Sequence, residues 1–320
     1  MAAMLIYNQL FVKPAYPVAS FAGQTVIVTG SNTGLGKEAA RHFVRLGASK
    51  VILAVRNLEA GEAAKKAIEI STKGNATTIE VWSLDLASYD SVKSFAKRAS
   101  QLPRIDVLLE NAGIAGSRKF VLAEGHEIKI TVNVISTFLL ALLMLPKLKA
   151  STREFNNNPR LTIVTSEVHA FTQFPERNEP NIFQALDVER NVRPDRYPIS
   201  KLLEVLAVRQ LAPKLDKSGV VLNMLSPGLC HSELARDAGW GLAIMKFFLA
   251  RSTEVGSRTL VAAAVAGRES HGKFMNNGVV DEEALSAFVK SEDGDKAAGK
   301  VWRELCEILE EIEPGVTANV

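Results

Sequence analysis

Tyr197 and Lys201 stand four positions apart in the stretch YPISK. On a helix that spacing places both side chains on one face. A phenol with a reference pKa of about 10 is protonated at neutral pH and can give its proton to a developing alkoxide. The reverse reaction needs the phenolate, and a nearby ammonium favours that anion. Ser166, in IVTSEVH, adds a hydroxyl that could hold a substrate oxygen beside Tyr197. Each group also has a plainer reading: Ser166 as a cap or turn residue, Lys201 as a solvated cation, and Asn133 in TVNVIST as a core amide bonded to backbone. The chain has four tyrosines, so the Tyr-x-x-x-Lys match alone is weak. Its weight depends on what lies upstream.

Upstream lies TGSNTGLG, with Gly30, Ser31, Asn32, Thr33, Gly34, Leu35 and Gly36 between a β-rich run and a helical pattern. Glycines there permit a tight turn and close backbone approach to a pyrophosphate, and the helix N-terminus offers N–H groups and a favourable dipole. The spacing is G-x-x-x-G-x-G, and no Walker lysine follows, which disfavours phosphoryl transfer. The second strand ends in AVRN, so Arg56 and Asn57 stand where a carboxylate would bind a ribose 2′-hydroxyl. A guanidinium pairs with a 2′-phosphate, so NADP(H) is the expected cofactor, and an NAD-dependent dehydrogenase is disfavoured. Asp85 and Leu86 in LDL end the third strand. Asp85 could hold the adenine amino group, or be an ordinary turn residue.

These residues need a frame that brings strand ends together. Runs such as TVIVTG, KVILAV, TIEVWSLDL, IDVLLENAG, RLTIVTS and GVVLNMLSPG alternate with helical patterns, including a long one from His126 to Ser151 and YPISKLLEVLAVRQLAPKL. Repeated βα order predicts an α/β chain: a Rossmann-like, doubly wound parallel sheet with helices on both faces, in a single domain. We expect an N-terminal extension over 1–21, a catalytic domain over 22–281 and a helical tail over 282–320. Insertions at 171–196 and 232–253 are expected at the mouth of the site. Their Phe171, Phe174, Phe183, Trp240, Met245 and Phe247 suggest a bulky, largely apolar substrate, although a core or dimer-packing role suits the second stretch equally well.

Composition narrows the class. The 320 residues carry 38 basic and 35 acidic side chains, net +3, with no long basic block, so nucleic acid is not an expected partner. Cys230 and Cys306 are too few for a disulfide framework, and no metal-binding spacing occurs, so a reduced, cytoplasmic setting without a metal is expected. The apolar run FLLALLMLP is about half the roughly 20 residues a membrane span needs, and peripheral membrane contact stays open. No G-x-S-x-G elbow accompanies His169 or His231, so hydrolase chemistry competes poorly, and those histidines could line the pocket or lie on the surface.

Taken in order, these motifs resemble the short-chain dehydrogenase/reductase family over about residues 22–280, above all its retinol-dehydrogenase-like and fungal oxidoreductase members. The resemblance rests on Thr29, Gly30, Gly34 and Gly36, on Asn111, Ala112 and Gly113, on Asn133, Ser166, Tyr197 and Lys201, and on Pro227 and Gly228 after the sixth strand. Ser166 and Tyr197 are separated by 31 positions, a long gap that matches the retinol-dehydrogenase-like members. The resemblance implies a catalytic set of Ser166, Tyr197, Lys201 and Asn133. It implies that Lys201 also binds the nicotinamide ribose and that Asn133 orders a water leading from Lys201 to solvent. The expected function is carbonyl–alcohol interconversion by hydride transfer with NADP(H). General carbonyl clearance and fungal secondary metabolism both stay open as settings. The alternative is a catalytically silent nucleotide-binding or scaffold protein on the same fold. Related enzymes commonly pair the Asn133 and Tyr197 helices between subunits, so a homodimer is expected, unless the C-terminal helix covers that surface and leaves a monomer.

Overall fold

The computed structural model describes residues 2–116, 119–191, 193–231 and 250–320. Its centre is an eight-stranded sheet of β1 (Thr25–Thr29), β2 (Lys50–Val55), β3 (Thr78–Ser83), β4 (Val107–Glu110), β7 (Arg160–Val164), β8 (Val221–Ser226), β9 (Phe274–Asn276) and β10 (Val279–Val280). The spatial order is β10-β9-β8-β7-β4-β1-β2-β3, parallel throughout except for the β9–β10 pair. A separate small hairpin joins β5 (Leu122–Ala123) to β6 (His126–Glu127).

The unbroken β-branched runs follow from burial on both faces. In β1, Val26 and Val28 face one core cluster and Ile27 the other; in β2, Val51 and Leu53 oppose Ile52 in the same way. The first face is covered by α2 (Gly34–Arg45), α3 (Leu58–Ser71) and α8 (Thr253–Val265). The second carries α4 (Tyr89–Ala99), α5 (Ile128–Phe155), α7 (Arg196–Leu211) and α9 (Glu292–Ile312). The doubly wound expectation therefore holds. Strand order reverses between β1 and β4, so the crevice at their C-terminal ends is the natural ligand site.

Several elements depart from the sequence reading. The helix expected from His126 begins at Ile128, because His126 and Glu127 belong to the hairpin. Its Thr131–Ile135 turn is π-helical, and Asn133 sits at its centre. The whole helix is long and apolar enough to cross a membrane, which the short run FLLALLMLP did not suggest, but 89% of its most apolar window is buried inside the fold. The N-terminal extension begins with α1 (Ala2–Phe11). That helix is docked: Gln9 donates to the Leu229 carbonyl at 2.6 Å and accepts from its N–H at 3.0 Å, while Arg251 donates to the Asn8 and Val12 carbonyls.

The insertion after β7 folds inward. Phe174 and Phe183, the latter on α6 (Ile182–Leu186), belong to the main core cluster. Glu304 of α9 accepts from the Ile182 N–H at 2.7 Å. These two rings therefore do not line a substrate mouth; Phe171 alone of the three is exposed, at 54%. The stretch WGLAIMKFFLA, with Trp240, Met245 and Phe247, lies almost wholly outside the described residues, as does most of the insertion expected at 232–253. On the other side, α9 packs along α7, and the last turn crosses α5, where Lys149 donates to the Asn319 carbonyl and Asn319 to that of Leu142. The chain's own tail thus occupies the surface that a pairing of these helices between subunits would use.

Candidate active site

Two clusters meet at the crevice. The first is the glycine turn after β1. Gly30 and Gly34 both have positive φ, at 63° and 58°. Gly36 tolerates no side chain: a Cβ there would sit 2.5 Å from Asn111 Nδ2 and 2.6 Å from the Gly30 carbonyl oxygen. The turn is locked from β4. Thr29 Oγ1 accepts the N–H groups of Asn111 and Ala112, both at 2.9 Å, and the Asn111 amide donates to the Thr29 carbonyl at 2.9 Å. Ser31 is buried and donates to the Val28 carbonyl. Thr33 precedes α2 without capping it through its side chain. Leu35 packs against the first-face core.

Beside this turn opens a cavity of about 490 Å³ lined by Asn32, Thr33, Lys37, Arg56 and Asn57, with alanines of α3 as its floor. The oxygen of Asn57 is committed to capping α3 at Ala60. Arg56 is exposed at the rim and Lys37 is half-buried. Two cations with adjacent amides and a free helix start suit a phosphorylated nucleotide. Lys37 was missed in the sequence, although it directly follows Gly36. Asp85 accepts the Ala87 N–H at 2.9 Å, a turn-forming bond, and buried Leu86 offers its carbonyl to Ser136.

The second cluster joins β7, α5 and α7. Ser166 lies two residues beyond β7, and its side chain stands near the phenol of Tyr197 in the first turn of α7, where it favours the anion. The same oxygen accepts the Val168 N–H at 3.3 Å, so Ser166 is also a cap. Pro198 sits in the first helical turn, where a missing N–H costs nothing. One turn on, Lys201 Nζ donates to the Val164 carbonyl at 3.0 Å and to Glu204 Oε1 at 2.7 Å, and it lies 5.8 Å from the centre of the Tyr197 ring. Asn133 is fully buried and makes two hydrogen bonds to Ile114: its oxygen accepts the N–H at 2.8 Å and its amide donates to the carbonyl at 2.9 Å. The amide also donates to Ser200 Oγ at 2.9 Å. Asn133 therefore fixes the loop after β4 against α7. A Cβ on Gly113 would crowd the site, lying 3.2 Å from Asn133 Oδ1 and 3.7 Å from Lys201 Nζ.

Burial pushes the Tyr197 phenol above its usual range, the charge of Glu204 adds to this, and Ser166 opposes it. Burial also raises Glu204, to about 7, against the pull of Lys201. Glu110, the last residue of β4, is raised well above the carboxylate range by burial and then by Glu204. Sequence reading missed both acids; the available signals were a charge inside the apolar VLLE and another inside KLLEVLAV. His169 is buried, with Nε2 accepting the Ser286 N–H at 3.1 Å, so Nδ1 carries the proton donated to the Ser166 carbonyl. It is a structural tie, not a pocket residue, and burial lowers its pKa. His231 is exposed. Pro227 is buried, and Gly228, at φ 75°, sits where a Cβ would meet Gln9 at 2.9 Å. No metal-holding group of His, Cys, Asp or Glu occurs among the described residues.

Comparison with known proteins places this geometry. The short chain dehydrogenase family model matches residues 24–157. A short chain dehydrogenase/reductase of Cryptosporiopsis sp. is 50% identical, covering 98% of this chain and 99% of that protein. A short-chain dehydrogenase of Penicillium roqueforti is 45% identical over 98% of this chain and 85% of its own length. Among solved structures, the Pseudomonas aeruginosa RhlG/NADP active-site complex superposes with a TM-score of 0.62 at 21% identity, over 85% of this chain and 100% of that one. A short chain dehydrogenase of Shigella flexneri complexed with NADP gives 0.60 at 21%, over 82% and 99%. From near-complete coverage at half identity, the chain belongs to the short-chain dehydrogenase/reductase family.

Proposed function

We propose that this chain is an NADP(H)-dependent oxidoreductase that interconverts a carbonyl and an alcohol, with Tyr197 as the proton donor and acceptor. The observation that carries the reading is the buried Lys201 ammonium 5.8 Å from the Tyr197 ring, with Ser166 just beyond β7, one strand from the β4–β1 reversal. The glycine turn and the Lys37–Arg56 cavity fit the dinucleotide: small residues where a backbone must approach, and cations where a 2′-phosphate would lie. Two structural neighbours were solved with NADP, which supports the same choice. When bound, the nicotinamide supplies or accepts the hydride.

The chain's own residues then do the following. Ser166 holds the substrate oxygen beside Tyr197. Tyr197, kept protonated by burial, gives its proton to the alkoxide in reduction and takes one back in oxidation. Lys201 contributes positive charge near the phenol, and Asn133 keeps the Gly113–Ile114 loop at a fixed distance from α7. A bulky, apolar substrate remains the best reading; its support is now exposed Phe171 and the apolar composition of residues 240–250. The 31-residue gap between Ser166 and Tyr197 supports a retinol-dehydrogenase-like placement, and the fungal relatives support a place in fungal metabolism. The test is a panel of bulky ketones and aldehydes with NADPH and NADH, read by loss of reduced-cofactor absorbance. Turnover of at least one with NADPH preferred supports the reading; binding of neither cofactor overturns it.

A further inference from the structure

Lys201 does not face Tyr197 alone. Its ammonium is 2.7 Å from Glu204 Oε1, with both residues nearly sealed from solvent at 4% and 2% exposure. A second carboxyl, Glu110, is 4% exposed at the end of β4. Glu110 Oε1 and Glu204 Oε2 are buried without a hydrogen-bond partner, and the charge of Glu204 disfavours ionisation of Glu110. The charged and titratable groups of this cluster are therefore one cation, two acids and one phenol: Lys201, Glu204 and Tyr197 from α7, and Glu110 from β4. Asn133 from α5 and Thr165 after β7 contribute uncharged groups.

One cation offsets one carboxylate. Ionising both acids would leave a net buried anion, which is costly, so one acid keeps its proton. With Glu204 ionised against Lys201 and Glu110 neutral, the pair presents little net field to Tyr197. Lys201 then draws the phenol toward phenolate less strongly than a lone ammonium would. We propose that Glu204 is a positioning residue: it holds Lys201 in an internal ion pair and so limits the pull of that ammonium on Tyr197, which favours the acid form used in carbonyl reduction. This rests on the reading of Tyr197 as the proton donor. Glu204 makes and breaks no substrate bond, and the overall equilibrium is untouched. What it sets is the pH range over which each direction runs.

The test is Glu204→Gln, which keeps a hydrogen-bond acceptor for Lys201 and removes the charge. Ionisation of Tyr197 is followed in cofactor-free protein by tyrosinate absorbance against pH, each background being subtracted with its Tyr197→Phe counterpart. The Tyr197 transition should move down by about one pH unit or more once the opposing carboxylate is gone. The alkaline loss of reductase activity should move down with it, mainly in kcat, and Glu204→Asp should restore the original profile. If Glu204→Gln does not fold, Glu204→Asn serves instead, with the same downward shift of the Tyr197 transition expected. An unchanged Tyr197 transition in folded Glu204→Gln or Glu204→Asn overturns the proposal. If Tyr197→Phe abolishes turnover while Glu204→Gln leaves the transition in place, only this inference falls. If Tyr197→Phe retains turnover, the reading of the site itself falls.

Discussion

Removing the Arg56 guanidinium should weaken NADPH binding and leave NADH binding nearly alone. An enclosed charge-assisted contact of this kind is worth about 1.5–3 kcal/mol. Arg56 is exposed at the rim of its cavity, so water and salt reduce that to about 1–1.4 kcal/mol. At about 1.4 kcal/mol per factor of ten, Arg56→Ala should lose about 5- to 10-fold in NADPH affinity. NADH lacks the 2′-phosphate and should change by less than about 2-fold. Arg56→Lys keeps a charge without the planar fork and should fall between. Lys37 lines the same cavity from the first turn of α2, so the double variant with Lys37→Ala should erase most of the preference. Fluorescence titration of both cofactors, repeated at rising ionic strength, measures all of this, and the preference should shrink with salt. Equal affinity of the unaltered protein for the two cofactors, or a preference that survives the double variant, refutes the reasoning.

Two further outcomes follow from burial. The raised carboxyls bind a proton more tightly in the folded chain than in the unfolded one, so their effect on stability is absent at low pH and becomes a penalty as pH rises above the ordinary carboxylate range, through about 7 for Glu204. Glu110→Gln removes its share, so its denaturant midpoint should gain on the unaltered protein as pH rises above the ordinary carboxylate range; a constant difference contradicts this. His169, lowered by burial, works the other way and costs stability as pH falls through its unfolded value, which is why the difference between variants is the quantity to compare. Because the tail packs on α5 and α7, light scattering should find a monomer, and a dimer of the unaltered chain would oppose this.

The parts of the site legible in the sequence are those where local chemistry leaves little choice. TGSNTGLG reads as a phosphate turn because positive φ and close backbone approach demand glycine. The strand runs read as doubly buried because both faces of β1 and β2 are packed. What stayed hidden depends on contacts far along the chain. Phe174 and Phe183 look like mouth residues until α9, more than a hundred positions later, covers them. Gln9 is an ordinary polar residue until Leu229 receives it. Glu204 reads as a solvated charge unless the burial of α7 is known, and Glu110 pairs with it only through the fold. Asn133 shows the opposite case: its importance was legible, but its two hydrogen bonds to the Ile114 backbone were not.

The central claim is that the Tyr197 hydroxyl moves the proton. The direct measurement is steady-state turnover of a confirmed carbonyl substrate by Tyr197→Phe, alongside NADPH binding to the same protein. General acid catalysis is worth about 10²- to 10⁴-fold, so turnover should fall by at least about 10²-fold. NADPH affinity should barely change, because the ring still packs and the Lys201–Glu204 pair is intact. Near-normal turnover by folded Tyr197→Phe contradicts the account.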